Sequence, residues 1–535
     1  MRVAQQLLPP RVRITGTDGD RDETPAEYLR RVEGAVVDRS TIVQLLCRTD
    51  DGFHAAVLKV ILDGFDFTNY PIDLAMRKFL YFVQLPKETQ QIDRVVDAFA
   101  KRYHYCNPGI YVSVDDAYIV AFSLLMLNTD AFNKSNKHKM QKADYVRNTQ
   151  VGGVANEILE VFFDNITYTP FVHTQDHCAT GDQTPPTLRQ RRSFVSRSLK
   201  ETIDPYSLIL LDYDLNELRL SSPADFTPED PYSYVGTSRQ FDVEVLRDAF
   251  LNGTVLRIMP PRRIQPAPLA AIPNAIAMPL PVSMPPPRER HQEPKKLRLA
   301  KFGLLTPVDA RRKKRPRQWG VLLTLTHLYF FKNVTWFRGL MEQLQNTDAY
   351  VFSPPIQGFH PDEIMETSSI LALHDASYRF PSSFPLSPAN TDAQLRTVLT
   401  VVSKTGSRDI FQASSEDEMN DWVAKLNYAA ALSSSCAYLR VGPTAERQSL
   451  LRDKIGVLEE NLVHDMQRVE EDLRTLRHLG VLVRLVRTEN SDADERKAII
   501  KWRERVLNRW IDVEWERCAR EVLVKELDAE TGLQT

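Results

Sequence analysis

Residues 113–133 read SVDDAYIVAFSLLMLNTDAFN, and residues 79–103 read FLYFVQLPKETQQIDRVVDAFAKRY. In the first stretch Ser113 and Asp116 have capping-box spacing, in which hydroxyl and carboxylate satisfy amides that a first helical turn leaves without partners. Ala117 to Leu127 is then apolar apart from Ser123. The pattern predicts a helix covered on every side, far shorter than the ~20 residues that cross a bilayer. It ends abruptly in Leu127, Asn128, Thr129 and Asp130. In the second stretch Ile92, Val95, Val96, Phe99, Ala100 and Tyr103 recur at helical spacing, which buries one face and turns Gln91, Arg94, Asp97 and Lys101 to water. Pro86 keeps its predecessor out of helical geometry, so Glu88 falls at a turn or first helical position, near the positive end of the helix dipole. Taken singly, Glu88 reads as a helix cap and the Asn128–Asp130 end as a polar last turn.

Outward from these stretches, 535 residues predict three or four domains at roughly 150 residues each. The net charge of −2 gives no global field for nucleic acid or membrane, so any electrostatic function is local. Cys47, Cys106, Cys178, Cys436 and Cys518 are scattered and odd in number, which argues against a disulfide framework or a zinc site and for a reducing, cytosolic setting. The first sixteen residues lack a signal-peptide core. Four zones follow. Residues 25–173 are helix-patterned and poor in proline. Residues 174–296 read as a linker, proline-rich over 260–294, where missing amide donors dictate an extended spacer. Within it Tyr206 to Leu211 and Val243 to Ile258 are apolar enough for short elements that pack on a neighbour. Residues 297–434 turn to strand patterning: Leu297 to Leu305, Trp319 to Phe331, and Leu395 to Ala413 with a turn at Lys404 to Ser407. A final helix there carries Met419, Trp422, Val423, Leu426 and Ala430 on one stripe. Residues 443–528 are charged and helical, with Leu451, Ile455, Leu458, Leu462, Met466, Val469, Leu473 and Leu476 in a heptad seam and Ile499, Trp502, Val506, Trp510 and Val513 in a second stripe. An antiparallel helical hairpin and a dimerising coiled coil both fit.

Leu85, Pro86, Glu88, Gln90, Ile92, Asp93 and Arg94, then Ala98 to Ala100, Arg102 and Tyr103, then Cys106, Asn107, Asp116 and Tyr118, then Met126 to Asp130 and Asn133 occur in order. Over about Pro25 to Phe171 this resembles the Sec7 domain, the catalytic domain of exchange factors for ARF-type small GTPases. The resemblance implies an all-α, right-handed helical superhelix whose apolar groove receives a GDP-bound ARF protein. Glu88 would be the glutamic finger that enters the partner's nucleotide site and displaces magnesium and the β-phosphate. Tyr118, Phe122, Leu125, Met126 and Asn133 would line the groove, with Asp93, Arg94, Asn128 and Asp130 at its rim or ordering the finger loop. Two positions depart from the family, which usually has arginine and glycine where this chain has Gln84 and Lys87. Losing glycine removes easy access to positive φ beside the finger.

Arg311 to Arg317 holds six basic residues in seven, followed by Trp319, and lies between two strand-patterned segments. With Lys301, Gly303, Trp319, Leu328, Tyr329, Phe331, Lys332 and Trp422 this zone resembles a pleckstrin homology domain, a β-barrel closed by a C-terminal helix. That resemblance implies phosphoinositide binding by Lys301, Arg311, Arg312, Lys313, Lys314, Arg315 and Arg317. A solvated basic loop is the plainer alternative. The module order resembles the pleckstrin-and-Sec7-domain subfamily and implies recruitment from the cytoplasm to the plasma membrane or endosomes, with an ARF of the sixth class as partner and the tail available for self-association. No nucleic-acid partner, metal or cofactor is expected, and no covalent chemistry: GxxxxGK[ST], HExxH and GxSxG are all missing. The rival reading is an ARF-binding, membrane-bound scaffold that does not exchange.

Overall fold

The computed structural model describes residues 13–14, 21–35, 41–174, 199–219, 242–258, 295–308, 317–345, 356, 358–374, 397–405, 407–435, 445–488 and 490–532. The proline-rich spacer 260–294 and Arg311 to Arg315 lie outside them. The chain divides into two compact units, Met1–Glu229 with Gln467–Arg509, and Asp230–Met466 with Trp510–Thr535. The tail expected as one module over 443–528 is therefore shared between the units.

The first unit is helical, as expected: α1 (Pro25–Ala35), α2 (Ile42–Leu46), α3 (Gly52–Asp63), α4 (Ile72–Phe82), α5 (Thr89–Cys106), α6 (Val114–Phe132), α7 (Lys142–Asn148) and α8 (Asn156–Tyr168). The α5 stripe Val95, Val96, Phe99, Ala100 and Tyr103 is fully buried. Phe99 packs on Phe67 and Phe79 at ring separations of 5.3 and 5.5 Å. Both halves of the Ser113–Asp116 capping box form. On α4 the buried Arg77 donates to the carbonyls of Asn165 (2.9 Å), Thr169 (2.7 Å) and Pro170 (3.0 Å). It thereby satisfies the orphan acceptors at the end of α8, where a cation also meets the negative end of the dipole. Asp73, one turn earlier on α4, accepts from Asn165 Nδ2 at 2.8 Å, and burial pushes its carboxyl up against the pull of Arg77.

Parts of the expected linker are folded into this unit. Leu199–Thr202 pairs antiparallel with Val486–Thr488 from the tail. The short helix Pro205–Leu210 brings Tyr206 under the end of α8, its hydroxyl donating to Pro170 O at 2.9 Å and accepting from Val172 N at 2.7 Å.

The second unit is built on seven antiparallel strands in the spatial order Ile370–His374, Val398–Ser403, Arg408–Gln412, Lys301–Pro307, Trp319–Leu323, His327–Phe331, Glu363–Glu366. A closed β-barrel is the expectation from sequence, and the sheet is open. Glu363–Glu366 and Ile370–His374 are consecutive in the chain yet lie at opposite edges, joined by the 3₁₀ turn Thr367–Ser369 rather than by a ladder. The final helix Glu416–Ser435 lays Met419, Trp422, Val423 and Leu426 onto the sheet, all fully buried. Sequence reading missed the helix Val334–Gln345, although Trp336, Phe337, Leu340, Met341 and Leu344 give it an apolar stripe. Its close approach explains Gly320, where a β-carbon would fall 2.2 Å from the Phe337 ring. Val243, Leu246 and Phe250, from the other folded part of the linker, join the core of this unit.

The tail forms two long helices, Ala445–Val481 and Ser491–Thr531. Arg520 pairs with Glu459 at 2.7 Å, Asn461 with Glu516 at 3.2 Å, and Arg505 with Asp472 at 3.1 Å. Partner numbers that rise on one helix as they fall on the other define an antiparallel pair. Of the expected seam, Leu451, Leu458, Val469, Leu473 and Leu476 are buried, whereas Met466 is exposed.

Candidate functional site

Glu88 occupies the N-cap of α5 in extended geometry (φ −89°, ψ 134°), but its side chain caps no helical amide. The carboxylate is exposed and accepts a hydrogen bond from Gln91 Nε2 at 2.7 Å. The capping reading of Glu88 is thus not what its side chain does. Among the described residues only Asn69 and Asp212 are non-glycine positions with positive φ, so Lys87 sits in the loop before α5 without the left-handed conformation that glycine would allow.

The loop is held from below. Gln44 on α2 donates from Nε2 to Leu85 O at 2.8 Å. Arg94, expected in water, is half-buried: it donates to Cys47 O at 2.7 Å and pairs with Asp50 at 3.2 Å, tying α5 to the α2–α3 connection. Burial pushes the Cys47 thiol up to about 11 against the lowering pull of Arg94, which leaves it a protonated packing group. Gln44 was missed in the sequence, and a lone glutamine in an apolar segment gives no signal to find it by.

Alongside, α6 is not covered on every side. Ile119 and Met126 are 45% and 55% exposed, and Tyr118, Phe122 and Leu125 are half-buried on the same flank. Tyr118 stacks on Phe122 at 6.0 Å and donates its hydroxyl to Asp93, linking the first turns of α6 to the start of α5. Burial and then the Asp93 carboxylate push the Tyr118 hydroxyl up to about 12. The result is an apolar stripe, open to solvent, next to an exposed carboxylate.

Other expected site residues are structural. Asn128 Oδ1 accepts from Phe171 N at 2.9 Å, fastening the chain after α8. Asp130 accepts from Met140 N at 2.8 Å and from Asn136, while Asn133 accepts from Ser135 N at 2.9 Å. Asp130 therefore orders the turn after α6 rather than the loop before α5, and Asn133, expected in the groove lining, takes part in the same turn with its side chain exposed.

In the second unit the basic run falls in the connection between two paired strands, with Leu305 opposite Trp319 at its base. Arg317 is exposed. Lys301 does not join it. Its ammonium is paired with Asp421 and sits 5.0 Å over the Trp422 ring, so it fastens the final helix to the sheet instead of facing a headgroup. Burial pushes it below its ordinary value, opposed by Asp421. No cluster of residues that could hold a metal ion occurs among the described residues, and no described helix is long and apolar enough to cross a membrane.

Residues 14–171, which hold the exposed Glu88 carboxylate at the head of α5 and the open apolar flank of α6, match the Sec7 domain family. The chain is similar to Sec7-domain ARF exchange factors. It is 30% identical over 448 residues to the Arf guanine nucleotide exchange factor sec74 of Schizosaccharomyces pombe, covering 78% of this chain and 44% of that protein. It is 34% identical over 158 residues to cytohesin-2 of Homo sapiens, covering 29% of this chain and 39% of that one. The chain thus spans less than half the length of these relatives. Among solved structures, ARF1-GDP bound to a Sec7 domain complexed with brefeldin A aligns at 30% identity and a TM-score of 0.25, covering 28% of this chain and 77% of that one.

Proposed function

We propose that this chain promotes GDP release from an ARF-type small GTPase, with Glu88 as the group that enters the partner's nucleotide site. The observation that carries the proposal is the exposed, uncapped Glu88 carboxylate beside the open flank of Tyr118, Phe122, Leu125 and Met126. A carboxylate brought within ~4 Å of a phosphate repels it by about 1 kcal/mol in water and about 4 kcal/mol at an effective dielectric of 20. The larger figure is about a thousandfold in rate. No bond is made or broken in the step. Loss of fluorescent GDP from a purified ARF protein tests it: Glu88→Lys is expected to reduce release to the uncatalysed rate, and equal rates refute the finger.

We read the second unit as a pleckstrin homology-like module, supported by its antiparallel sheet and the final helix packed on it, that brings the exchange domain to a phosphoinositide surface at the plasma membrane or endosomes. Arg311 to Arg315 and Arg317 are the contact residues, at ~1 kcal/mol per basic side chain near an anionic leaflet. Lys301 is left out because Asp421 offsets its charge. Neutralising the run is expected to abolish binding to phosphoinositide vesicles and to spare exchange in solution. Intact vesicle binding would remove the loop from the lipid site.

A further inference from the structure

We propose that the tail segment Gln467–Arg509 is a clasp that completes the exchange domain from behind, so that the working module is discontinuous in sequence. Its effect on exchange rests on the Glu88 reading, while its effect on assembly does not.

The contact is built like a core rather than like a surface encounter. Leu479, Val481 and Leu482 are each at most 5% exposed and belong to the same cluster as Phe99 and Leu124. Val483 and Leu485 pack against Leu74, Leu208 and Leu215. Between these apolar groups Asn165 of α8, 1% exposed, brackets the incoming backbone: its Nδ2 donates to Val483 O at 2.8 Å and its Oδ1 accepts from Leu485 N at 2.9 Å. Departure of the tail takes both of these bonds from Asn165 and leaves its Nδ2 only the one to Asp73. His478 lies fully buried between the rings of Tyr111 and Phe162, at 5.0 and 5.8 Å. Arg219 donates to Val481 O at 3.2 Å, and the Leu199–Thr202 ladder extends the seam. At the rim Lys501 pairs with Glu157 at 2.8 Å. The hydrogen-bond, ring and ion-pair partners lie on α8, the loop before α6 and the segment after α8, and the apolar cluster extends to the buried faces of α5 and α6. Glu88, Ile119 and Met126 stay exposed with the clasp in place, so clasp and GTPase do not compete for one surface.

The test uses the full chain with a protease site inserted between residues 220 and 241, cut after folding. The first fragment then holds the helices of the first unit and the second holds the clasp. We expect the cut fragments to co-elute in gel filtration at about micromolar concentration and to keep exchange within about twofold of the uncut chain, as a core-like interface requires. Leu482→Glu buries a charge in the seam and is expected to separate the fragments and lower exchange by about tenfold or more. Lys501→Glu is expected to weaken their association by about threefold, and Glu157→Lys in the same chain to restore it, a change that perturbs no core side chain. Separation of the unaltered cut fragments overturns the clasp, as does association that neither Leu482→Glu nor Lys501→Glu alone weakens. Glu88→Lys in the cut chain should abolish exchange with the fragments still together. Fragments that co-elute but never catalyse release, cut or uncut, would uphold the clasp and refute the exchange reading alone.

Discussion

The Glu88 carboxylate accepts from Gln91 through Oε2, so the Gln91→Ala variant tests whether that bond restrains Glu88 in the exchange step proposed for it. Gln91 Nε2 lies 2.7 Å from Glu88 Oε2, one turn along α5. A hydrogen bond to a charged group contributes about 1.5–3 kcal/mol when shielded, but the carboxylate here is exposed and water takes over much of that, leaving about 0.5–1 kcal/mol. If the bond must break for the finger to extend, its loss lowers the barrier by the same amount, and the maximal rate rises about two- to fivefold. Alanine is a better helix former than glutamine and adds no apolar body, so neither helix fraying nor new contact with the GTPase confuses the outcome. Stopped-flow release of fluorescent GDP, titrated with the chain, should show the higher plateau with an unchanged half-saturation concentration. The double variant with Glu88→Lys should show no such gain. A plateau that is unchanged or lower refutes the reasoning and makes Gln91 a group that aims the carboxylate rather than one that restrains it.

Arg77→Met keeps the volume of a fully buried side chain but leaves the carbonyls of Asn165, Thr169 and Pro170 without donors and Asp73 without its cation; a loss of about 3–5 kcal/mol in urea unfolding is expected. Tyr118→Phe removes the bond to Asp93 and should cost about 1 kcal/mol near neutrality. Because the fold raises the Tyr118 hydroxyl from 10.0 to about 12, its contribution is complete below pH 10 and is lost as pH rises toward 12; urea midpoints of the two proteins should converge across that window. Lys301→Met should leave vesicle binding unchanged and stability near that of the natural chain, whereas Asp421→Ala, which strands the half-buried Lys301 and Lys425 ammoniums, should lower the melting temperature.

What the sequence disclosed follows how local each cause is. The capping box at Ser113, the α5 stripe and the strand pair at Val398–Ser403 and Arg408–Gln412 are set by neighbours within a few residues, and their patterns are complete in the chain. The position of Glu88 at the head of α5 was legible for the same reason. The destination of Arg94 was not, because helical spacing places it on the outer face while the α2–α3 connection happens to pass over that face. The charged pair Asp73 and Arg77 at i and i+4 inside an apolar helix is a readable signal of a buried network, yet its partners on α8 are set by tertiary packing alone. The tail seam misled in another way. A heptad repeat specifies that a stripe must be buried but not by what, and the stripe ending at Leu476 runs into residues that find their cover in the helices of the first unit.

The loop that presents Glu88 has few restraints of its own. It contains Pro86, it gains one side-chain bond from Gln44, and its residues 87 to 90 face solvent. On the reading proposed for Glu88, a side chain that leaves its resting partner to enter another protein needs that freedom, whereas the helices on either side have to resist the load. The stiffness comes from elsewhere: Phe79 and Phe99 locked in the aromatic core, Arg77 closing the end of α8, Arg94 pinning α5 to α2. Each restraint sits behind the flank of α6 rather than on it. Replacing Gln44 by methionine therefore separates the two demands, since it frees the loop without touching the core. If flexibility of the finger limits release, that variant exchanges at least as fast as the natural chain at an unchanged melting temperature. If the pre-set loop limits it, exchange falls while stability holds, and a fall in both would show that Gln44 belongs to the scaffold.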